Sequence, residues 1–205
     1  MRALITAGAT CNPIDAIRFL SASSTGRTGA GIARALVRRG IPVHLLGSVE
    51  ALLRAPDLPG EEYGSTRDLM ERMERAVRSS PGAAVVHAAA VGDYEAEPFC
   101  GKIPSGSASL TLTLRPAPKI ADHLRGWGLV GPYVTFKAAP PGTTLEGLEA
   151  IARSQRTRTA CDLVFANVLG HLGQDVLLVG EASRRFALRD EAVAALVDWL
   201  AERLG

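Results

Sequence analysis

Residues 4–35 read LITAGATCNPIDAIRFLSASSTGRTGAGIARA. The segment opens with a short apolar run ending at Gly8, continues as a long polar loop of small residues, and closes in a helical pattern. A compact domain rarely keeps so long a loop without a use for it. After the first strand of an α/β protein such a loop usually holds phosphate. Gly8, Ala9 and Thr10 stand where backbone N–H groups can approach an anion closely, or where a plain tight turn suffices. Ser23-Ser24-Thr25-Gly26-Arg27-Thr28-Gly29 supplies hydroxyls, a flexible backbone and a cation just before a helix N-terminus. That is the chemistry of a phosphate site, with a solvated loop as the alternative. Within the loop, Asp15 and Arg18 suit a structural ion pair, or Arg18 a substrate carboxylate or phosphate.

Outward from this stretch, strands and helices alternate. IPVHLLG (41–47) reads as a second strand, and Pro56 to Ser65 as a turn-rich connector. A helix over 66–78 presents Leu69, Met70, Met73 and Val77 on one face. AAVVHAAAV (83–91) is a third strand, apolar enough to be covered on both sides. In 92–116, turn residues precede the alternation Leu110, Leu112, Leu114, which predicts an extended flap or hairpin outside the main sheet. The pattern then predicts a helix over 118–125, a strand over 132–138, a helix over 144–156 and a strand over 162–168. A terminal strand pair (176–180 and 184–189) and an amphipathic helix over 190–204 complete the chain. Such alternation implies right-handed crossovers, so the expected fold is one α/β domain over 1–205. It is a Rossmann-like three-layer sandwich with a mainly parallel sheet and a small flap.

The composition narrows the function. A net charge of +2 over 205 residues is too small to imply a nucleic-acid partner. No apolar run is long enough for a signal peptide or a membrane span, so the expected location is cytoplasmic, with no membrane partner. Cys11, Cys100 and Cys161 show no CxxC spacing, against a zinc site or disulfide framework. No GxSxG elbow and no Walker-type GxxxxGK[ST] occurs.

In parallel sheets ligands bind beyond the carboxyl ends of the strands. The informative residues are therefore Gly8–Arg27, Gly92–Lys102, Phe136–Lys137 and Asn167. Asp93 and Tyr94 can contact a sugar or base, and Asp93 can share a magnesium ion, with a strand-end cap as the alternative. Lys102, Lys119 and Lys137 are the only lysines of the chain, and a triphosphate needs several point cations. TGRTGAG also resembles a dinucleotide-binding glycine motif, but that motif must follow a strand directly. Thr25 lies far beyond the first strand, so a nicotinamide-dependent reductase ranks second.

Taken together, these motifs resemble the phosphopantothenate–cysteine ligase (phosphopantothenoylcysteine synthetase) family. TAGATCNPIDAIRFLSASSTGRTG (6–29) is similar to that family's TSGGTxxPID-VRFxxNxSSGxxG, and HAAAVGDY (87–94) to its AAAVxDY. GKIPSG with the following LTLTL, PKI (118–120), TFK (135–137) and DLVFANVL (162–169) resemble its remaining motifs in order. The PKI and FK forms look like the stand-alone branch rather than the one fused to a flavin decarboxylase. The resemblance implies a ligase of coenzyme A biosynthesis that joins 4′-phosphopantothenate and cysteine through an acyl-nucleotidylate, using CTP or ATP with Mg2+. It further implies a homodimer whose flap reaches the partner's site. By motif, Gly8, Ala9, Thr10, Ser24, Thr25, Gly26, Arg27, Ala89, Asp93, Tyr94, Lys102, Lys119, Phe136 and Asn167 would line the nucleotide side. Arg18, Lys137 and position 22 would serve the chemistry. Two departures stand out. Ala22 occupies the place of an asparagine associated with the acyl intermediate, and losing one oxyanion-type donor costs about 10²–10³ in rate. Ala138 and Ala139 follow Lys137 where the family carries a glutamate. A nucleotide-binding relative without ligase activity is the alternative.

Overall fold

The computed structural model describes residues 2–106, 108–171 and 173–205; Ser107, within the predicted flap, lies outside the described residues. The first strand, β1 (Ala3–Ala7), is wholly buried. It leads into a small antiparallel hairpin, β2 (Cys11–Pro13) with β3 (Phe19–Ser21), and then into helix α1 (Arg27–Arg38). β4 (Val43–Gly47), a short helix α2 (Val49–Leu53) and the edge strand β5 (Gly60–Glu62) follow. Helix α3 (Thr66–Ser79) starts where Ser65 Oγ accepts the Asp68 N–H at 3.2 Å. Beyond it come β6 (Ala84–His87) and the strands of the flap, β7 (Tyr94–Ala96) and β8 (Leu114–Pro116). The C-terminal half adds β9 (Tyr133–Ala139), α4 (Leu145–Thr159), β10 (Leu163–Val168), β11 (Gln174–Val179), β12 (Ser183–Leu188) and α5 (Arg189–Leu204).

The main sheet has the order β12-β11-β10-β9-β6-β1-β4-β5. Its strands from β5 to β10 are parallel, and β11 and β12 extend it as an antiparallel pair. Alternate residues of each strand feed two cores. Ile5, Leu45, Val86, Val134 and Phe165 pack under Ile32 and Leu36 of α1 and Leu196 and Leu200 of α5. Leu4, Leu46, Val85, Tyr133 and Val164 pack under Leu69 and Met73 of α3 and Leu148 of α4. Helices therefore cover both faces, which is the expected three-layer sandwich.

Three local expectations change. The opening loop contains the β2–β3 hairpin, because Cys11 N–H bonds Gly64 O at 2.8 Å and Asn12 bridges Tyr94 O and the Thr66 N–H. The helix expected over 118–125 is a single 3₁₀ turn, Ile120–Asp122, followed by turns; Ile120 and Leu124 are buried, so tertiary burial rather than helix length holds it. In the flap only Leu114 of the alternating leucines enters a strand, and Leu110, Leu112 and Leu114 are all exposed. The alternation therefore marks apolar surface left outside the core of this chain. The turn of the first hairpin meets the flap through Ala16 N–H to Gly101 O (2.9 Å) and Phe99 N–H to Ile14 O (2.8 Å).

Candidate functional site

The strand order reverses between β1 and β6, since the chain passes from β1 to β4 on one side and later to β6 on the other. Here the two strand ends stay joined: Thr10 N–H bonds Ala90 O at 3.1 Å and Ala90 N–H bonds Gly8 O at 2.8 Å. Two cavities flank this point, one of about 360 Å³ and one of about 250 Å³, and Phe136 lines both. Ligands of parallel sheets lodge at such reversals.

The first cavity is lined by the loop from Ser23 to Gly29, with Ala88, Phe136 and Arg189. It therefore collects Ser24, Thr25, Gly26 and Arg27 as the sequence suggested. Gly26 precedes α1 with φ 71°, and a Cβ there would stand 2.4 Å from Ala51 Cβ and 2.9 Å from Gly8 N. Only glycine lets the loop turn so tightly over α2 and present the start of α1. Hydroxyls, helix-start N–H groups and a cation then face one space, which favours an anion.

Arg189 is the residue that reading the sequence missed. It lies in the first turn of α5, where the helix dipole disfavours a cation. That misplacement is the one signal the sequence carried. Its guanidinium reaches Thr28 Oγ1 at 3.1 Å and Asn167 Oδ1 at 3.4 Å, and lies 4.9 Å over the Phe165 ring. Burial pulls its pKa down, yet a guanidinium stays charged. Asn167, on the buried end of β10, supports Arg189 from below and does not line the cavity. Its Nδ2 is buried with no hydrogen-bond partner among the described residues.

The second cavity has a polar floor and a charged rim. His87, Thr135 and Gln155 line it and are each more than nine-tenths buried. Ala89 and Lys137 line it as well, and at the rim Lys119 pairs with Asp93. Two of the three lysines thus meet at one space, while Lys102 is an exposed flap residue outside both cavities.

The remaining predicted residues stand apart from both cavities. Thr10 is fully buried, with its Oγ1 accepting from Gly92 N–H and Thr66 Oγ1 at 3.0 Å each, and Ala9 is paired to Ala90. Gly8 lies against Ser48 of α2. Tyr94 is half exposed on β7. Arg18 forms the structural ion pair: its guanidinium is 2.5 Å from Asp15 Oδ2 and 3.3 Å from Ile103 O. Burial works against the Asp15 charge, but the N–H groups of Ile17, Ile103 and Arg18, with the Arg18 cation, outweigh it and lower its pKa to about 2. Ala22 is exposed just after β3 and lines neither cavity. Of the three free cysteines Cys161 is buried beside Thr135, Cys11 is partly buried and Cys100 is exposed.

Among the described residues no group of three or more His, Cys, Asp or Glu side chains converges as a metal cage. No helix of the described residues is long and apolar enough to cross a membrane.

Comparison with known proteins shows the family and the fold. A family model described as the DNA/pantothenate metabolism flavoprotein C-terminal domain matches residues 1–191. The coenzyme A biosynthesis bifunctional protein CoaBC of Thermococcus kodakarensis is 36% identical over 189 residues, which cover 87% of this chain and 45% of that protein. Its Escherichia coli K12 counterpart is 31% identical over 172 residues, covering 80% and 40%. The chain thus spans less than half the length of these curated relatives. Among solved structures, the DNA/pantothenate metabolism flavoprotein from Streptococcus pneumoniae superposes with a TM-score of 0.87 at 24% identity, covering 98% of this chain and 99% of that one. A Cab2 H337A variant in complex with phosphopantothenate-cysteine superposes with a TM-score of 0.78 at 18% identity, covering 98% and 87%. With a family match over residues 1–191, nearly its whole length, the chain belongs to the DNA/pantothenate metabolism flavoprotein C-terminal domain family.

Proposed function

We propose that the chain is a phosphopantothenate–cysteine ligase that binds its nucleoside triphosphate, CTP or ATP, across the two cavities. The observation that carries this reading is their junction at Phe136. A space suited to phosphates and a space with a neutral polar floor adjoin at one strand reversal, as a nucleotide requires.

The triphosphate would lie against the Ser24–Arg27 loop, the start of α1 and Arg189. The substrate carboxylate oxygen attacks the α-phosphorus, a P–O bond forms, and pyrophosphate leaves. The cysteine amine then attacks the acyl carbon, loses a proton, and the C–N bond forms as the nucleoside monophosphate departs. Fixed cations and N–H groups lower the cost of charge building on the phosphoryl and acyl oxygens. Lys137 and Lys119 are the side chains placed to meet that charge at the second cavity. Magnesium usually arrives on phosphate and takes only one or two protein carboxylates. The exposed Asp93 fits that need and would hold it, where the ion neutralises phosphate charge.

The exposed Ile17, Phe19, Phe99, Leu110, Leu112 and Leu114 sit on the joined hairpin and flap and support a homodimer through this layer. The reductase reading is not favoured, since Thr25–Gly29 follows a β-hairpin rather than a strand-to-helix turn. Incubation with 4′-phosphopantothenate, cysteine, Mg2+ and either CTP or ATP, while following pyrophosphate, tests the proposal. Pyrophosphate release that depends on both phosphopantothenate and a nucleotide is expected. Nucleotide binding without any release would leave only a binding relative.

A further inference from the structure

Thr6, His87 and Thr135 stand in one register across β1, β6 and β9. They interrupt an otherwise apolar sheet face, and Gln155 of α4 closes the row. Buried polar groups are normally hydrogen-bonded, so each atom can be followed in turn. Thr6 Oγ1 accepts the Ala89 N–H at 3.0 Å and lies 3.0 Å from His87 Nδ1. Among the described residues its hydroxyl proton has no other acceptor, so it is donated to Nδ1. The proton of the neutral imidazole is then on Nε2. Burial keeps the ring neutral by lowering its pKa to about 4. Nε2 makes no hydrogen bond among the described residues, although the side chain is more than nine-tenths buried and lines the second cavity.

Gln155 is anchored in the opposite sense. Its Nε2 donates to Thr135 Oγ1 at 3.0 Å and to Phe136 O at 3.1 Å. A backbone carbonyl can only accept, so the amide orientation is fixed and Oε1 is the atom left over. It too has no partner among the described residues, and Gln155 lines the same cavity. The floor therefore offers one donor and one acceptor on either side of Thr135.

We propose that His87 Nε2–H and Gln155 Oε1 are the base-reading groups of the nucleotide site, selecting a base that carries an exocyclic amine beside an unprotonated ring nitrogen. This rests on the nucleotide reading above. The amine of cytosine or adenine donates to Oε1, and the adjacent ring nitrogen accepts from Nε2–H. Uracil and guanine present a carbonyl beside a ring N–H, which sets acceptor against acceptor and donor against donor. A site built to hydrogen-bond a group rejects the analogue that leaves its buried partners unpaired.

Calorimetric titration of the full chain with Mg2+ and each of CTP, ATP, UTP and GTP tests this. So do the amine-less analogues, purine riboside triphosphate against ATP and 2-pyrimidinone riboside triphosphate against CTP. Whichever of CTP and ATP binds tighter should exceed UTP and GTP by at least about tenfold, and removing its amine should cost about tenfold. His87→Phe should collapse the ratio while inorganic pyrophosphate binds as before, and His87→Gln, which keeps a donor, should restore part of it. Equal affinities for the four nucleotides, an amine-less analogue that binds as well as its parent, or a ratio that His87→Phe leaves intact overturns the base-reading role but leaves the nucleotide reading standing. Binding of none of them overturns both. The analogue arm needs no variant, so a misfolded His87→Phe chain does not block the test.

Discussion

A Cβ on Gly8 would stand 2.0 Å from Ser48 Oγ, so the turn that ends β1 and the cap that begins α2 occupy a space only glycine leaves open. Ser48 is fixed there twice over. Its N–H bonds Ala7 O at 3.0 Å, and its Oγ accepts the Ala51 N–H at 3.4 Å. With φ 94°, Gly8 also sits where side chains are strained. Gly8→Ala should cost about 3 kcal/mol or more through clash and backbone strain together. The shift of the denaturant midpoint reads this directly. A further Ser48→Gly change should recover the part due to the clash and leave the strain.

The Asp15 clasp predicts an acid limb. Its carboxyl titrates at about 2 in the folded chain against an ordinary 3.8. As pH falls the unfolded chain takes up the proton first, so stability is complete above about pH 4 and is lost toward pH 2. Denaturant unfolding between pH 2 and 6 should show this loss for the native chain. Asp15→Asn should be less stable at neutral pH and flatter through that window.

Arg189 should matter more for phosphate than for folding. A charge-assisted hydrogen bond is worth about 1.5–3 kcal/mol. Arg189→Met should therefore weaken triphosphate binding by about 10- to 100-fold, with Arg189→Lys recovering part through the retained charge. A calorimetric titration with pyrophosphate separates this from loss of the Phe165 contact, which the melting temperature reports. Unchanged pyrophosphate affinity in Arg189→Met would remove Arg189 from the phosphate subsite.

Position 22, exposed after β3 and outside both cavities, tests whether a side-chain amide there reaches the acyl step. Ala22→Asn should raise the rate of pyrophosphate release by about 10²–10³-fold, with little change in nucleotide affinity. Single-turnover kinetics beside nucleotide titration separate the two effects. A rate that stays the same would show that position 22 does not limit the reaction.

The strands and their order of appearance were legible because burial writes itself into composition. AVV of β6 and LVFA of β10 are continuous apolar runs, as strands covered on both faces tend to be. The β2–β3 hairpin was hidden because its hydrogen-bond partners, Gly64, Tyr94 and Thr66, lie far along the chain. The helix expected after Pro118 shrank to one turn because its apolar residues fill a corner of the core rather than a face.

For the candidate site the sequence by itself determined the family and the SSTGR loop, since small residues, hydroxyls and a cation before a helix are local chemistry. It also named Asp93, Lys119, Phe136 and Lys137, which folding brings to the second cavity. Only the tertiary structure decided the rest. Arg18 and Thr10 spend their polar atoms inside the fold, Arg189 arrives at the first cavity from the far end of the chain, and His87 with Gln155 lines the second. Sequence records which atoms can hydrogen-bond, whereas the fold decides which of them already have partners.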